Sequence, residues 1–136
     1  MILLSNKTAQ TLQPGQALNF DKVILKTKNG CECHNSQAPA TTKLCSKGIY
    51  ELHYSGNITS ATAGAAVQIA IALGGQPLVE TAMNSVPAAA GDLNNVSTTT
   101  YLRNCCCDLD RVSVINTGNV PVTIAPNSAF AIHRLS

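Results

Sequence analysis

Gly48-Ile-Tyr-Glu-Leu-His-Tyr-Ser-Gly-Asn-Ile-Thr59 alternates with a period of two. Ile49, Glu51, His53 and Ser55 fall on one side, and Tyr50, Leu52 and Tyr54 on the other. Side chains of a strand point alternately to its two faces, so this pattern predicts a strand with one face buried and excludes a helical stripe. Gly48 leads into it, and Gly56 reads as a bulge or exit. Two of the three tyrosines and one of the three histidines lie here, in a chain with no Trp and two Phe. A chain so poor in aromatics is expected to centre its packing on this strand.

Working outward, Ala66 to Leu73 (AVQIAIAL) sets Val67, Ile69, Ile71 and Leu73 against Ala66, Gln68, Ala70 and Ala72. Alanine favours helix, but strict alternation of branched residues ended by Gly74-Gly75 predicts a strand packed on both sides. Pro77 to Met83 is a further strand candidate, and Ser85 to Leu93 reads as loop. Asn95 to Leu102, Asp110 to Asn116, Val120 to Ile124 and Ala129 to Leu135 alternate as strands, with turns at Thr117-Gly118-Asn119 and Pro126-Asn127. Towards the N-terminus, Thr41 to Lys47 reads as a short strand, 31–40 as loop and 28–30 as a turn. Leu18 to Thr27 reads as a strand with Val23 and Leu25 on one face and Ile24 on the other. Residues 1–17 read as a polar arm ahead of a domain over 18–136, either a loose terminus or an anchor to a partner. Eight to ten short, evenly spaced strands with no convincing helix predict an all-β sandwich or barrel, most economically a jelly roll.

The 136 residues make one domain with room for a core that needs no staples. Hydrophobic residues are 45% and charged residues only 12%, about half the usual charged share. A weakly charged polar surface suits either packing against copies and larger assemblies or simply hydroxyl-rich sheet faces. The net charge of +2 is spread along the chain, which gives no electrostatic case for a nucleic-acid partner. Met-Ile-Leu-Leu is too short for a signal-peptide core, and no run approaches the roughly 18 apolar residues of a membrane span. The expectation is synthesis in a cytoplasm with no export signal and no membrane partner.

Five stretches together resemble landmarks of one superfamily: Asn19-Phe-Asp-Lys-Val23, Lys47-Gly-Ile-Tyr-Glu-Leu-His-Tyr54, Val67-Gln-Ile-Ala-Ile-Ala-Leu-Gly-Gly75, Asp110-Arg-Val-Ser-Val114 and Ala129-Phe-Ala-Ile-His-Arg-Leu135. Their order and spacing over 18–136 resemble the tumour-necrosis-factor and complement-globular-head jelly rolls, including the bacterial and phage branch found on collagen-like fibres. The resemblance implies a TNF-like, ten-stranded sandwich assembled as a homotrimer. It is specific for fold and not for function. With no Gly-X-Y stalk, signal or anchor, the chain looks like a bacteriophage virion protein, made in the host cytoplasm and released by lysis. Capsid decoration, with the major capsid protein or another virion protein as partner, is the expected role. A receptor- or carbohydrate-binding knob of a head fibre or tail tip is the alternative, and scarce aromatics count against a lectin.

Six cysteines stand out: Cys31, Cys33, Cys45 and the triplet Cys105-Cys106-Cys107. Three readings stay open. They are buried or free thiols, or disulfides formed after lysis that tie the Cys31–Cys33 loop to Cys45 or to the triplet. In the third, Cys31, Cys33, His34, Cys105 and Cys107 hold a metal, although Cys-x-Cys and Cys-Cys-Cys lack the paired spacing of zinc sites. No cofactor is expected. No acid pair has a spacing that demands catalysis, Asp108-Leu-Asp110 lacks the further oxygen ligands of a calcium loop, and Cys33-His34 are neighbours rather than a dyad assembled in space. The glycine turns lack the Lys-Ser/Thr of a phosphate loop. An enzyme is therefore not expected. The core strands are expected to carry Ile49, Tyr50, Leu52, Tyr54, Val67, Ile69 and Ile71.

Overall fold

The strand β6, Gly48–Thr59, is the axis of the larger of two sheets. The computed structural model describes residues 1–27, 38–44, 47–104 and 111–135, and the backbone alone of 32–34. Within these residues the strands are β1 (Ile2–Ser5), β2 (Gln10–Leu12), β3 (Lys22–Lys26), β4 (Glu32–His34), β5 (Thr42–Leu44), β6, β7 (Val67–Leu73), β8 (Gln76–Pro77), β9 (Met83–Ser85), β10 (Asn94–Asn104), β11 (Arg111–Asn116), β12 (Val122–Ile124) and β13 (Ala129–Arg134). The seven-stranded sheet runs β2-β12-β6-β13-β1-β3, with β10 on the other side of β6. The six-stranded sheet runs β4-β5-β11-β7-β8, with β9 also on β7. Every described pairing is antiparallel.

The alternation of β6 decides its faces. Tyr50, Leu52, Tyr54 and Ile58 are fully buried, whereas Ile49, Glu51, His53 and Ser55 are half-buried on the opposite side. Val67, Ile69 and Ile71 of β7 and Val112 and Val114 of β11 close the core from the second sheet. Each such buried apolar side chain stabilises the fold by about 1.5–3 kcal/mol relative to exposure. Ala70 and Ala72 are buried as well, so β7 is packed on both sides as its alternation predicts. Phe20 stacks on Phe130 at 5.3 Å between ring centroids, and Tyr54 meets Phe130 edge-on at 6.4 Å. Ile49, expected among the core strand residues, lies on the outward face instead, and its carbonyl accepts the Leu135 N–H.

Five further expectations differ from the structure. Residues 1–17 are not an arm outside the domain: β1 lies between β13 and β3, and β2 pairs with β12. Ile2, Leu4 and Leu12 join the core, and burial of these side chains overrides the polar look of the segment. The strand expected over 18–27 is confined to Lys22–Lys26; Leu18 and Phe20 enter the core outside any strand, and all of β3 is exposed. The loop over 31–40 contains β4. Pro77–Met83 is not one strand but β8, a 3-10 turn at Val79–Thr81 and the start of β9. There the Thr81 hydroxyl accepts the Ile71 N–H at 2.9 Å and donates to the Leu78 carbonyl, replacing ladder bonds that a continuous strand would make. Gly56 is neither bulge nor exit; it pairs with Val96 inside β6. A Cβ there would stand 2.7 Å from the Tyr54 hydroxyl and 2.9 Å from Ser128 Cβ, so the packing itself requires glycine.

Asparagines fix two of the turns. Asn116 donates through Nδ2 to the carbonyls of Leu12 and Val120 and accepts the Gly118 N–H. Asn127 adopts the left-handed conformation at φ 68°, which asparagine tolerates, in the turn expected at Pro126-Asn127.

Candidate functional site: the outward face of the large sheet

Because β6 buries one side chain set, the other is presented away from the core, and its neighbours extend it into a continuous surface. Pairing registers lay out three rows across the strands. Ser97, Ser55 and Ala129 form one; Thr99, His53, Ala131, Leu3 and Leu25 form the second; Tyr101, Glu51 and His133 form the third. His53 Nδ1 and Thr99 Oγ1 are 2.6 Å apart, a hydrogen bond between cross-strand neighbours. At one end Thr11 and Thr123 join hydroxyls at 3.0 Å, and Asn95 Nδ2 donates to Asn57 Oδ1 at 3.2 Å.

The middle of this face is small and uncharged: Ser55, Ser97, Thr99, Ala129 and Ala131. Formal charge lies at its margin, on Glu51 and Arg103; Arg134 donates through Nε to the Lys47 carbonyl. A second surface of different character runs along the flank where β10 lies against the 3-10 turn and β9. Val79 is 82% exposed, and Val86 and Leu93 are exposed too.

Beneath the face, the Tyr54 hydroxyl is buried without a hydrogen-bond partner. Burial pushes its ionisation up to about 12, and Ser128 beside it opposes that only in part. The Ser128 hydroxyl is committed elsewhere, since it donates to Asn6 Oδ1.

The expected core residues Tyr50, Leu52, Tyr54, Val67, Ile69 and Ile71 are gathered in one cluster. The chemistry-bearing candidates are placed differently. Cys33 and His34 stand on β4, opposite Lys43 and Thr42, with only their backbone described. Cys31, Cys45, Cys105, Cys106, Cys107, Asp108 and Asp110 lie outside the described residues. Among the described residues no three His, Cys, Asp or Glu converge as metal ligands, and no helix is long and apolar enough to cross a membrane. Glu51 and His133 are cross-strand neighbours, a pairing that the sequence reading missed because it depends on register between strands some 80 positions apart. What such a surface can do chemically is bury itself against another flat, neutral surface.

No protein-family model matches the sequence, and no curated protein matches it. Solved structures do. Eiger TNF from S. frugiperda superposes with a TM-score of 0.75 at 10% identity, over 99% of this chain and 91% of that one. Murine APRIL gives 0.67 at 13%, over 98% and 97%. The globular domain of zebrafish complement 1qA gives 0.65 at 9%, over 98% of both. The fold is a TNF-like jelly roll, similar to the TNF-family and complement globular heads along nearly its whole length.

Proposed function

We propose that the protein is a non-enzymatic structural component of a bacteriophage particle that works as a homotrimer, with capsid decoration as its role. The observation that carries self-association is the outward face of the large sheet: five strands wide, uncharged in the middle and turned away from the internal core. The apolar flank of Val79, Val86 and Leu93 supplies an unlike surface for it to meet. Contacts between two unlike surfaces are head-to-tail, and they close into a ring when the rotation between subunits closes. A threefold ring is what the resemblance implies.

The virion setting is supported by the low charge of the chain, which suits docking into an assembly, and by the resemblance to the phage branch. A trimer on a lattice gains by multivalency, so that weak single contacts are enough. The disposition of aromatics favours this reading over a sugar-binding knob. Phe20, Tyr50, Tyr54 and Phe130 are all inside, which leaves Tyr101 as the one exposed ring for stacking on a carbohydrate.

Native mass spectrometry and a binding assay test the proposal together. The expected mass is that of three chains, and the protein is retained by undecorated capsids but not by host cells. A monomer overturns self-association; retention by cells alone transfers the protein to the receptor-binding class.

A further inference from the structure

The end strand β3 carries a run found nowhere else among the described residues: three consecutive exposed large apolar side chains. Val23 is 46% exposed, Ile24 51% and Leu25 46%. The strand hydrogen-bonds β1 on one side, and among the described residues no further strand lies beyond it in the sheet order. A shift of register between Leu3 and Leu4 lets Leu25 pair with Leu3 and Val23 with Leu4, which leaves Ile24 between paired positions. A free strand edge with an apolar centre is a template for another extended segment.

Charge says what kind of segment fits. Lys22 and Lys26 bracket the run, while the adjoining Asp21 is engaged, its Oδ1 accepting the Lys7 N–H at 2.8 Å. A second copy pairing antiparallel about Ile24 would set Lys22 opposite Lys26 at both ends, and like charges directly opposite are destabilising. A segment carrying carboxylates at those two positions would gain attraction at both. We propose that β3 is a docking edge for an extended segment of another polypeptide, apolar over about three residues and flanked on both sides by Asp or Glu, bound by strand addition to the large sheet. The lysines exclude a like-charged copy and select the acidic partner. The inference does not rest on the particle reading or on the trimer: Leu25 also ends one row of the outward face, but strand addition uses the backbone edge of β3 and not that face.

The test uses the full chain and two labelled seven-residue peptides with three central valines and a threonine at each end, one with glutamate and one with lysine on both sides of the valines, so that the charges match the spacing of Lys22 and Lys26. Fluorescence anisotropy is expected to show saturable binding of the acidic peptide, about tenfold tighter than the basic one, as follows when two cross-strand charge pairs switch from attraction to repulsion. Amide shift changes in NMR should centre on β3 and β1. Ile24→Lys, a surface change that leaves the core intact, should abolish binding without altering the protomer spectrum. Equal binding of both peptides, no saturable binding of either, or shifts confined to the outward face would each overturn the proposal. So would an oligomer size altered by Ile24→Lys, which would show that a second copy covers the strand.

Discussion

Asn6 and Ser128, 122 positions apart, bind the start of the chain to its last turn: the Ser128 N–H donates to Asn6 Oδ1 at 3.0 Å, and the Ser128 hydroxyl donates to the same oxygen. Asn6 Nδ2 in turn donates to the carbonyls of Thr8 and Ala125, each at 3.0 Å. One buried amide thereby holds the β1–β2 connection against both ends of the β12–β13 turn. Asn6→Ala would leave several buried partners unsatisfied, at about 1–3 kcal/mol for each group that water does not reach. A loss of about 2–4 kcal/mol in urea unfolding is expected, which is large for a residue in a polar tripeptide near the terminus.

Gly56→Ala should destabilise by about 1–3 kcal/mol, the usual cost of overpacking, because its Cβ would meet the Tyr54 hydroxyl and Ser128 Cβ. Tyr54→Phe removes the nearer of those atoms. In a double-mutant cycle, Gly56→Ala should therefore be milder when combined with Tyr54→Phe, and strict additivity would contradict the contact.

Tyr54→Phe alone should leave stability at neutral pH unchanged or slightly raised, since the hydroxyl it removes has no hydrogen-bond partner. Its effect belongs at high pH. Burial holds the phenol at about 12 in the folded protein against 10.0 for the unperturbed group. Between those values the unfolded chain has lost a proton that the folded chain keeps. Stability is thus full below pH 10 and falls as pH rises towards 12, by a total of about 3 kcal/mol. The difference between wild type and Tyr54→Phe in urea titrations at rising pH isolates this contribution; parallel curves would exclude it.

Ala131→Arg tests the candidate surface without touching the core. Ala131 lies in the row with His53 and Leu3, where a guanidinium would have to be buried unpaired in any assembly using that face. The expected outcome is a folded protomer, with an unchanged far-UV spectrum, that sediments as a monomer. A trimer that survives the change would move self-association to another surface.

For the cysteines we propose disulfides between the loop group and the triplet once the protein meets an oxidising medium. The support is the neighbourhood of their described flanks: β4 pairs with β5, Lys43 of β5 pairs with Arg111, and Asn104 Nδ2 donates to the Leu44 carbonyl at 3.2 Å. Air-oxidised protein, unfolded without reductant, should weigh less than the reduced chain by two hydrogens per bond. An identical mass would leave free thiols as the state.

Read without any structure, the chain already discloses its all-β class, the central place of β6 and the buried set on β6 and β7. Period-two alternation is a local property, and burial on one side enforces it. Other features depend on which strand ends up next to which. Val23, Ile24 and Leu25 have the composition of a core strand, yet β3 lies at the end of the sheet, where nothing described covers them, while Leu18 and Phe20 just before it are buried. The first strand looks like part of a polar arm until β13 and β3 flank it. Asn6, read within the polar arm, and Thr81 and Asn116, read within strands, prove to be buried polar anchors, because their backbone partners on other elements are set by the tertiary arrangement. Likewise, the neutral outward face exists only once five strands are in register. The sequence by itself determined which way each strand's side chains divide; the tertiary structure alone decided which of the two faces, and which end of the sheet, was left for a partner.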